Sequence, residues 1–276
     1  MKINLIYTLL LIISKLSLTT LYVVSTFFYL LNSITIKYRL KVITRNIQYS
    51  YPELNKKKQI KLIDKFYKSF FKIMFEIIKS ISFQKSDILE KVKITNTSLI
   101  TYSINKKKPI VLIGSHYANW EWGFLRISLI ENINLNAVYK PLKNRMLNQI
   151  LLKIRCKFGA DLIPLNKWKY FILKNKNMPK TFMFLADQVP NNKKNGTRID
   201  FLNQSTLFYE GAEKTSNLLN ADVFYIECLK TESGCYKLNF EKIESQNITK
   251  KYVNLLQKTI NKKPEHWLWS HNRWKR

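Results

Sequence analysis

Acidic residues are few in this 276-residue chain: 18 Asp and Glu stand against 47 Lys and Arg, a formal net charge of +29. A surface of that sign attracts anions, whether nucleic acid, anionic lipid or an acidic carrier protein. Only eight of the 47 are Arg, however, and Lys, Asn and Ile are abundant throughout, a bias of composition that weakens the argument for a polyanionic partner. No aromatic-basic signature of an RNA-recognition module and no helix-turn-helix pattern stands out, so no nucleic-acid partner is expected. Cysteine is scarcer still. Cys156, Cys228 and Cys235 are odd in number and lack metal-type spacing with His116, His266 and His271. That argues against a disulfide framework and a zinc site and for a reducing compartment, and no residue cluster implies a metal or redox cofactor. Repeats and low-complexity linkers are missing too, apart from one polar loop at Pro190 to Gly196.

Charge is also absent from one long run. Leu16 to Ile36 holds 21 residues without a charged side chain, and Lys37, Arg39, Lys41 and Arg45 follow it. The run is long enough to cross a bilayer, although its Ser, Thr and Asn leave an interfacial helix open. The basic flank predicts, by the positive-inside rule, that the rest of the chain stays cytoplasmic. A cleaved signal peptide fits less well, because the run is too long and no small-residue cleavage site follows. The expected organisation is an N-terminal anchor and basic flank over residues 1–45 and one domain over 46–276.

Beyond the anchor, Gln59 to Phe83 predicts a helix with Phe66, Phe70, Met74, Ile77 and Ile81 at spacings of three and four. Its interspersed lysines suit either a membrane surface or a solvated face. From Pro109 on, short apolar runs alternate with helical stretches. Strands are predicted at 109–114, 135–140, 162–165, 181–186, 198–202, 223–229 and 236–240, and helices at 120–130, 145–158, 168–174 and 209–219. This alternation predicts an α/β fold, a mixed sheet flanked by helices.

The most informative stretch is Gly114-Ser115-His116-Tyr117-Ala118-Asn119-Trp120-Glu121, directly after the first apolar strand. Asn119 is the expected N-cap of the next helix, with Glu121 in its first turn. Five helical positions turn the chain through about 500°, roughly 140° off the starting face, so His116 and Glu121 meet only if His116 precedes the helix. In that arrangement Glu121 would accept a hydrogen bond from one ring nitrogen while the other deprotonates a hydroxyl or amine. The same residues also suit a strand cap and a first-turn acid favoured by the helix dipole. Ser115 beside His116 lacks the Gly-x-Ser-x-Gly elbow of a serine nucleophile.

His116 to Glu121, Tyr139-Lys140-Pro141, Arg155 with Gly159, Leu185-Ala186-Asp187-Gln188, Phe201-Leu202-Asn203-Gln204 with Gly211-Ala212-Glu213, and Pro264 to Lys275 occur in that order. Together with Asn46-Ile47 and Tyr51-Pro52-Glu53 they resemble the bacterial lysophospholipid acyltransferase superfamily, in its lipid A biosynthesis (lauroyl/myristoyl) branch. Two positions depart from the pattern: Lys140 stands where many members have Arg, and Phe-Leu-Asn replaces Phe-Phe-Gly.

The resemblance implies transfer of an acyl group from a thioester, with acyl carrier protein as donor, to a hydroxyl of a phosphorylated glycolipid at the inner face of the bacterial cytoplasmic membrane. His116 and Glu121 would act as the general-base pair. Arg155 would bind phosphate or stabilise charge at the thioester, Lys140 would keep the charge without bidentate phosphate recognition, and Asp187 would orient a basic residue or an acceptor hydroxyl. Asn119 is a further candidate for substrate contact. Arg273, Trp267, Trp269 and Trp274 would anchor lipid headgroups or, for the tryptophans, pack the core. The base chemistry is indifferent to what bears the nucleophile, so a lysophospholipid or acylated amino acid is the alternative acceptor, and a non-catalytic basic membrane-surface protein the alternative to an enzyme.

Overall fold

The computed structural model describes residues 2–190 and 196–274; most of the polar loop, 191–195, and Lys275 of the C-terminal block lie outside the described residues. Helices run α1 (Lys2–Lys15), α2 (Leu18–Leu31), α3 (Leu40–Ser50), α4 (Lys56–Lys79), α5 (Lys85–Lys91), α6 (Thr97–Asn105), α7 (Trp120–Ile127), α8 (Arg145–Arg155), α9 (Trp168–Lys174), α10 (Gly211–Leu219) and α11 (Ile248–Lys262). Strands run β1 (Val92–Ile94), β2 (Ile110–Gly114), β3 (Leu135–Tyr139), β4 (Asp161–Pro164), β5 (Thr181–Leu185), β6 (Gly196–Phe201), β7 (Gln204–Tyr209), β8 (Asp222–Glu232) and β9 (Cys235–Lys242).

Seven strands form one mixed sheet in the order β1-β9-β8-β2-β5-β3-β4, parallel except for the β8–β9 hairpin. This is the expected α/β class. β2 is central and buried along its whole length, which is why Ile-Val-Leu-Ile reads as a continuous apolar run instead of an alternating one. β6 and β7 form a separate hairpin. Leu202 and Asn203 make its two-residue turn with φ of 48° and 59°, the left-handed pair that a type I′ turn requires. Asn at the second position tolerates that backbone, which accounts for an Asn where the family pattern has Gly.

Several elements were not expected from sequence: α3, α5, α6, β1, β7 and α11. The predicted helix at 145–158 ends its α-helical part at Arg155 and closes as a 3-10 turn, Cys156–Phe158, before Gly159 at φ 89°.

The N-terminal segment Leu18–Ile36 is long and apolar enough to cross a membrane. Ser17 caps it by accepting the Thr20 amide at 3.1 Å. One side of α2 rests on α4. Tyr22 Oη donates to Glu76 Oε1 at 2.6 Å, Tyr29 Oη bonds Asp64, and Lys79 Nζ donates to the Leu16 carbonyl at 2.8 Å. Val23, Phe27, Leu30 and Ile34 stay exposed on the same helical segment.

Candidate active site

Two parallel strand ends create the site. In the β2–β5 register Gly114 lies opposite Leu185, so the residues that follow each strand, Ser115-His116 and Ala186-Asp187, emerge side by side at the carboxyl edge of the sheet. Crevices at that edge are where open α/β sheets bind ligands. Gly114 suits the close approach: a Cβ there would sit 3.1 Å from Leu185 Cδ2. Its carbonyl accepts from the Ala186 amide at 3.1 Å and from Tyr252 Oη at 3.0 Å.

The loop after β2 is stitched to the C-terminal segment. Ala118 N donates to the His266 carbonyl at 2.9 Å, Leu268 N donates to the His116 carbonyl at 3.1 Å, and Tyr117 and Trp267 form an antiparallel bridge. Ala118 is held at φ 50°, a conformation that costs a non-glycine residue about 1–2 kcal/mol. Asn119 then caps α7, its Oδ1 accepting the Trp122 amide at 3.0 Å. Its Nδ2 donates to Glu76 Oε2 at 2.9 Å, and Tyr236 Oη donates to the same oxygen at 2.5 Å. Asn119 is fully buried and its side chain is committed to the cap and to Glu76, so it sets the loop instead of lining the cavity.

His116 and Glu121 do not form the hydrogen-bonded pair expected from their spacing. The carboxylate on the imidazole is Asp187: its Oδ1 lies 2.7 Å from His116 Nδ1, and its Oδ2 accepts the His116 backbone amide at 3.0 Å. Trp267 Nε1 donates to the same Oδ2 at 2.9 Å. Burial works to raise the Asp187 carboxyl, but the imidazole, its backbone amide and the indole outweigh it and hold the group down at about 2. With Nδ1–H donating to Asp187, His116 Nε2 carries the lone pair; Gln188 Nε2 sits 3.2 Å away, the distance of an amide donor to that nitrogen.

Glu121 takes a different partner. Arg155 donates Nε to Oε2 at 2.9 Å and Nη2 to Oε1 at 2.5 Å, and Trp120 Nε1 adds a bond to Oε1 at 3.1 Å. Burial opposes both charges, yet the pairing prevails, holding Glu121 below its ordinary value and Arg155 above its own. The physical reason for the difference from expectation is the fork of the guanidinium, which saturates both carboxylate oxygens. The charge of Arg155 is thereby matched by Glu121, while the residue still borders the cavity. Trp120 joins the two pairs, its ring packing edge-on to His116 at 5.2 Å while its indole N–H holds Glu121.

A cavity of about 1700 Å³ opens in front of these groups and is lined by His116, Glu121, Arg155, Lys140 and Arg273. Part of its wall is apolar, from Phe124, Leu151, Leu152, Leu162, Trp168 and Phe184; part is cationic, including Lys143 and Arg198. The volume exceeds the roughly 300–1,000 Å³ of ordinary small-molecule sites, room for two substrates. Among the described residues no group of three or more His, Cys, Asp or Glu side chains could hold a metal ion.

The C-terminal tryptophans are core residues, not interfacial anchors: Trp267, Trp269 and Trp274 are all buried and pack around one another and Phe201. Trp267 also supplies the indole on Asp187. Gln188 and Glu76 were not singled out as site residues from sequence, although Gln188 stands next to Asp187 in a recognised block.

A search of curated proteins finds no significant match to the chain. The model of the family described as bacterial lipid A biosynthesis acyltransferase matches residues 3–276. With a match over essentially its whole length, this chain belongs to the bacterial lipid A biosynthesis acyltransferase family, and it is an acyltransferase.

Proposed function

We propose that the enzyme moves a fatty acyl group from a thioester, carried by acyl carrier protein, to a hydroxyl of a phosphorylated lipid A precursor at the inner face of the cytoplasmic membrane. The observation that carries this reading is His116, pinned through Nδ1 by Asp187 and bordering a cavity with an apolar wall. The acceptor hydroxyl takes the place of the Gln188 amide at Nε2, gives its proton to the imidazole and attacks the thioester carbonyl. The tetrahedral adduct expels the thiolate, and the imidazolium returns the proton to the leaving sulfur. Asp187 fixes the ring's tautomer and stabilises the imidazolium.

Glu121 serves the base less directly, by locking Arg155 and Trp120 against the reacting centre. Lys140 and Arg273 are placed on the cavity wall to meet anionic parts of the substrates. Asn119 holds the catalytic loop in register. The basic surface, +29 over the chain, suits both an acidic carrier protein and an anionic membrane. Residues 1–45 act as the anchor of a catalytic unit formed by 46–276, with the Leu18–Ile36 segment inserted in the bilayer and the basic flank on the cytoplasmic side.

Mass spectrometry of lipid A from cells lacking the gene, complemented with wild type or His116→Ala, tests the proposal. One acyl chain should be missing in the deletion and in the alanine strain and restored by wild type. Unchanged lipid A with altered phospholipids or aminolipids would move the acceptor to that class.

A further inference from the structure

The basic part of the cavity wall includes three side chains, two Arg and one His, that the proton-transfer step does not use. Arg39 follows the apolar segment Leu18–Ile36 by three residues, is held at φ 51°, and donates Nη1 to the Ser270 carbonyl at 2.9 Å. His271 and Arg273 come from the C-terminal segment, and all three line the cavity. Arg273 is only 3% exposed. Its guanidinium carbon stacks 4.4 Å from the Phe208 ring centroid and its Nη2 donates to the Leu207 carbonyl at 2.6 Å.

Two buried polar atoms in this group have no hydrogen-bond partner among the described residues: Arg273 Nε and His271 Nδ1. Buried polar groups are ordinarily hydrogen-bonded, and an exception needs an explanation, of which a group bound at the site is one. Asp187 makes no hydrogen bond to either atom, its bonds going to His116 and Trp267, although its charge acts on both groups and favours their protonated forms. Burial pushes Arg273 down to about 10, as expected of a guanidinium without a full counter-charge, and His271 down to about 4, which leaves its ring neutral with one N–H. Arg155 differs: its charge is matched by Glu121.

Resting on the acyl-transfer reading above, we propose that Arg39, His271 and Arg273 form a subsite for a phosphate group of one of the two substrates. Guanidinium N–H groups and an imidazole N–H are donors of the kind that phosphate oxygens accept. Arg39, so close in sequence to the apolar segment, places the subsite where a headgroup would enter from the membrane. Either the phosphate of a glycolipid acceptor or the phosphodiester of a phosphopantetheine thioester donor carries the required chemistry.

The test measures binding by intrinsic tryptophan fluorescence of the full chain in detergent, so that it does not depend on turnover. One arm compares a phosphorylated lipid A precursor with the same lipid after phosphatase treatment; the other compares acyl-phosphopantetheine with acyl-pantetheine. Wild type should prefer the phosphorylated member of one pair by about tenfold to a hundredfold. Arg39→Gln, at an exposed position, and His271→Gln should each erase most of that preference while binding the dephosphorylated member within about twofold of wild type. The pair in which the preference collapses identifies the source of the phosphate. Equal wild-type affinity within both pairs, or a preference that survives both substitutions, overturns the subsite. A wild-type preference that collapses in the variants, from an enzyme that transfers no acyl group in a separate assay, would keep the subsite and count against the function proposed above.

Discussion

Cutting the Glu121–Arg155 pair is expected to cost unequal amounts from its two sides. In Arg155→Met the Glu121 side chain, 3% exposed, keeps only the Trp120 indole as a donor. A carboxylate stranded in this way costs about 3–5 kcal/mol. In Glu121→Leu the stranded guanidinium is 22% exposed and borders the cavity, so water reaches it. The cost there falls to about 1–3 kcal/mol, the range for a polar group left without its partner. Removing both charges leaves an apolar pair, and such replacements are often near neutral. The double variant should therefore be more stable than Arg155→Met alone, giving a coupling of at least about 2 kcal/mol. Urea unfolding of the four proteins in detergent, followed by circular dichroism, measures all terms of the cycle. Single costs below about 1 kcal/mol that simply add in the double variant would refute the reasoning.

Further outcomes follow from the same geometry. The Asp187 carboxyl, held at about 2 against an ordinary 3.8, contributes stability that is fully present above about pH 4 and is lost as pH falls towards 2. Comparing acid unfolding of wild type and Asp187→Asn should show the difference between them shrinking across that window. His266 and His271 are both pushed down to about 4 by burial, so they take up protons in the unfolded chain first, and stability should fall as pH drops from about 6.5 to 4. Melting curves of a His266→Gln/His271→Gln variant should lose most of that slope. Glu76→Ala removes the acceptor shared by Tyr22, Tyr236 and Asn119 and should destabilise the fold by about 3 kcal/mol or more, read from denaturant midpoints.

The sheet was legible because its buried strands are short apolar runs separated by capped helices. Ile110–Gly114 and Thr181–Leu185 fall within one residue of their predicted limits. Val92–Ile94 was hidden because three residues carry no period, and Gln204–Tyr209 because a polar strand in a hairpin mixes Ser, Thr and Gln with aromatics. At the site, the position of His116 before a capped helix could be read directly from Asn119 and the preceding apolar run. Which carboxylate serves the imidazole could not. Sequence spacing sees Glu121 five residues on, whereas Asp187 arrives 71 residues later through the pairing of β2 with β5. That Arg155 would take up Glu121 is likewise a fact of tertiary packing, carried by α8 folding back on α7.

The most direct test is the turnover number of His116→Ala for acyl transfer from an acyl carrier thioester to a lipid A precursor, beside wild type and Asp187→Asn. Loss of about 10²–10⁴-fold in kcat for His116→Ala, with KM for both substrates little changed and Asp187→Asn also impaired, is the predicted result. Turnover by His116→Ala within a few-fold of wild type would contradict a histidine base at the end of β2.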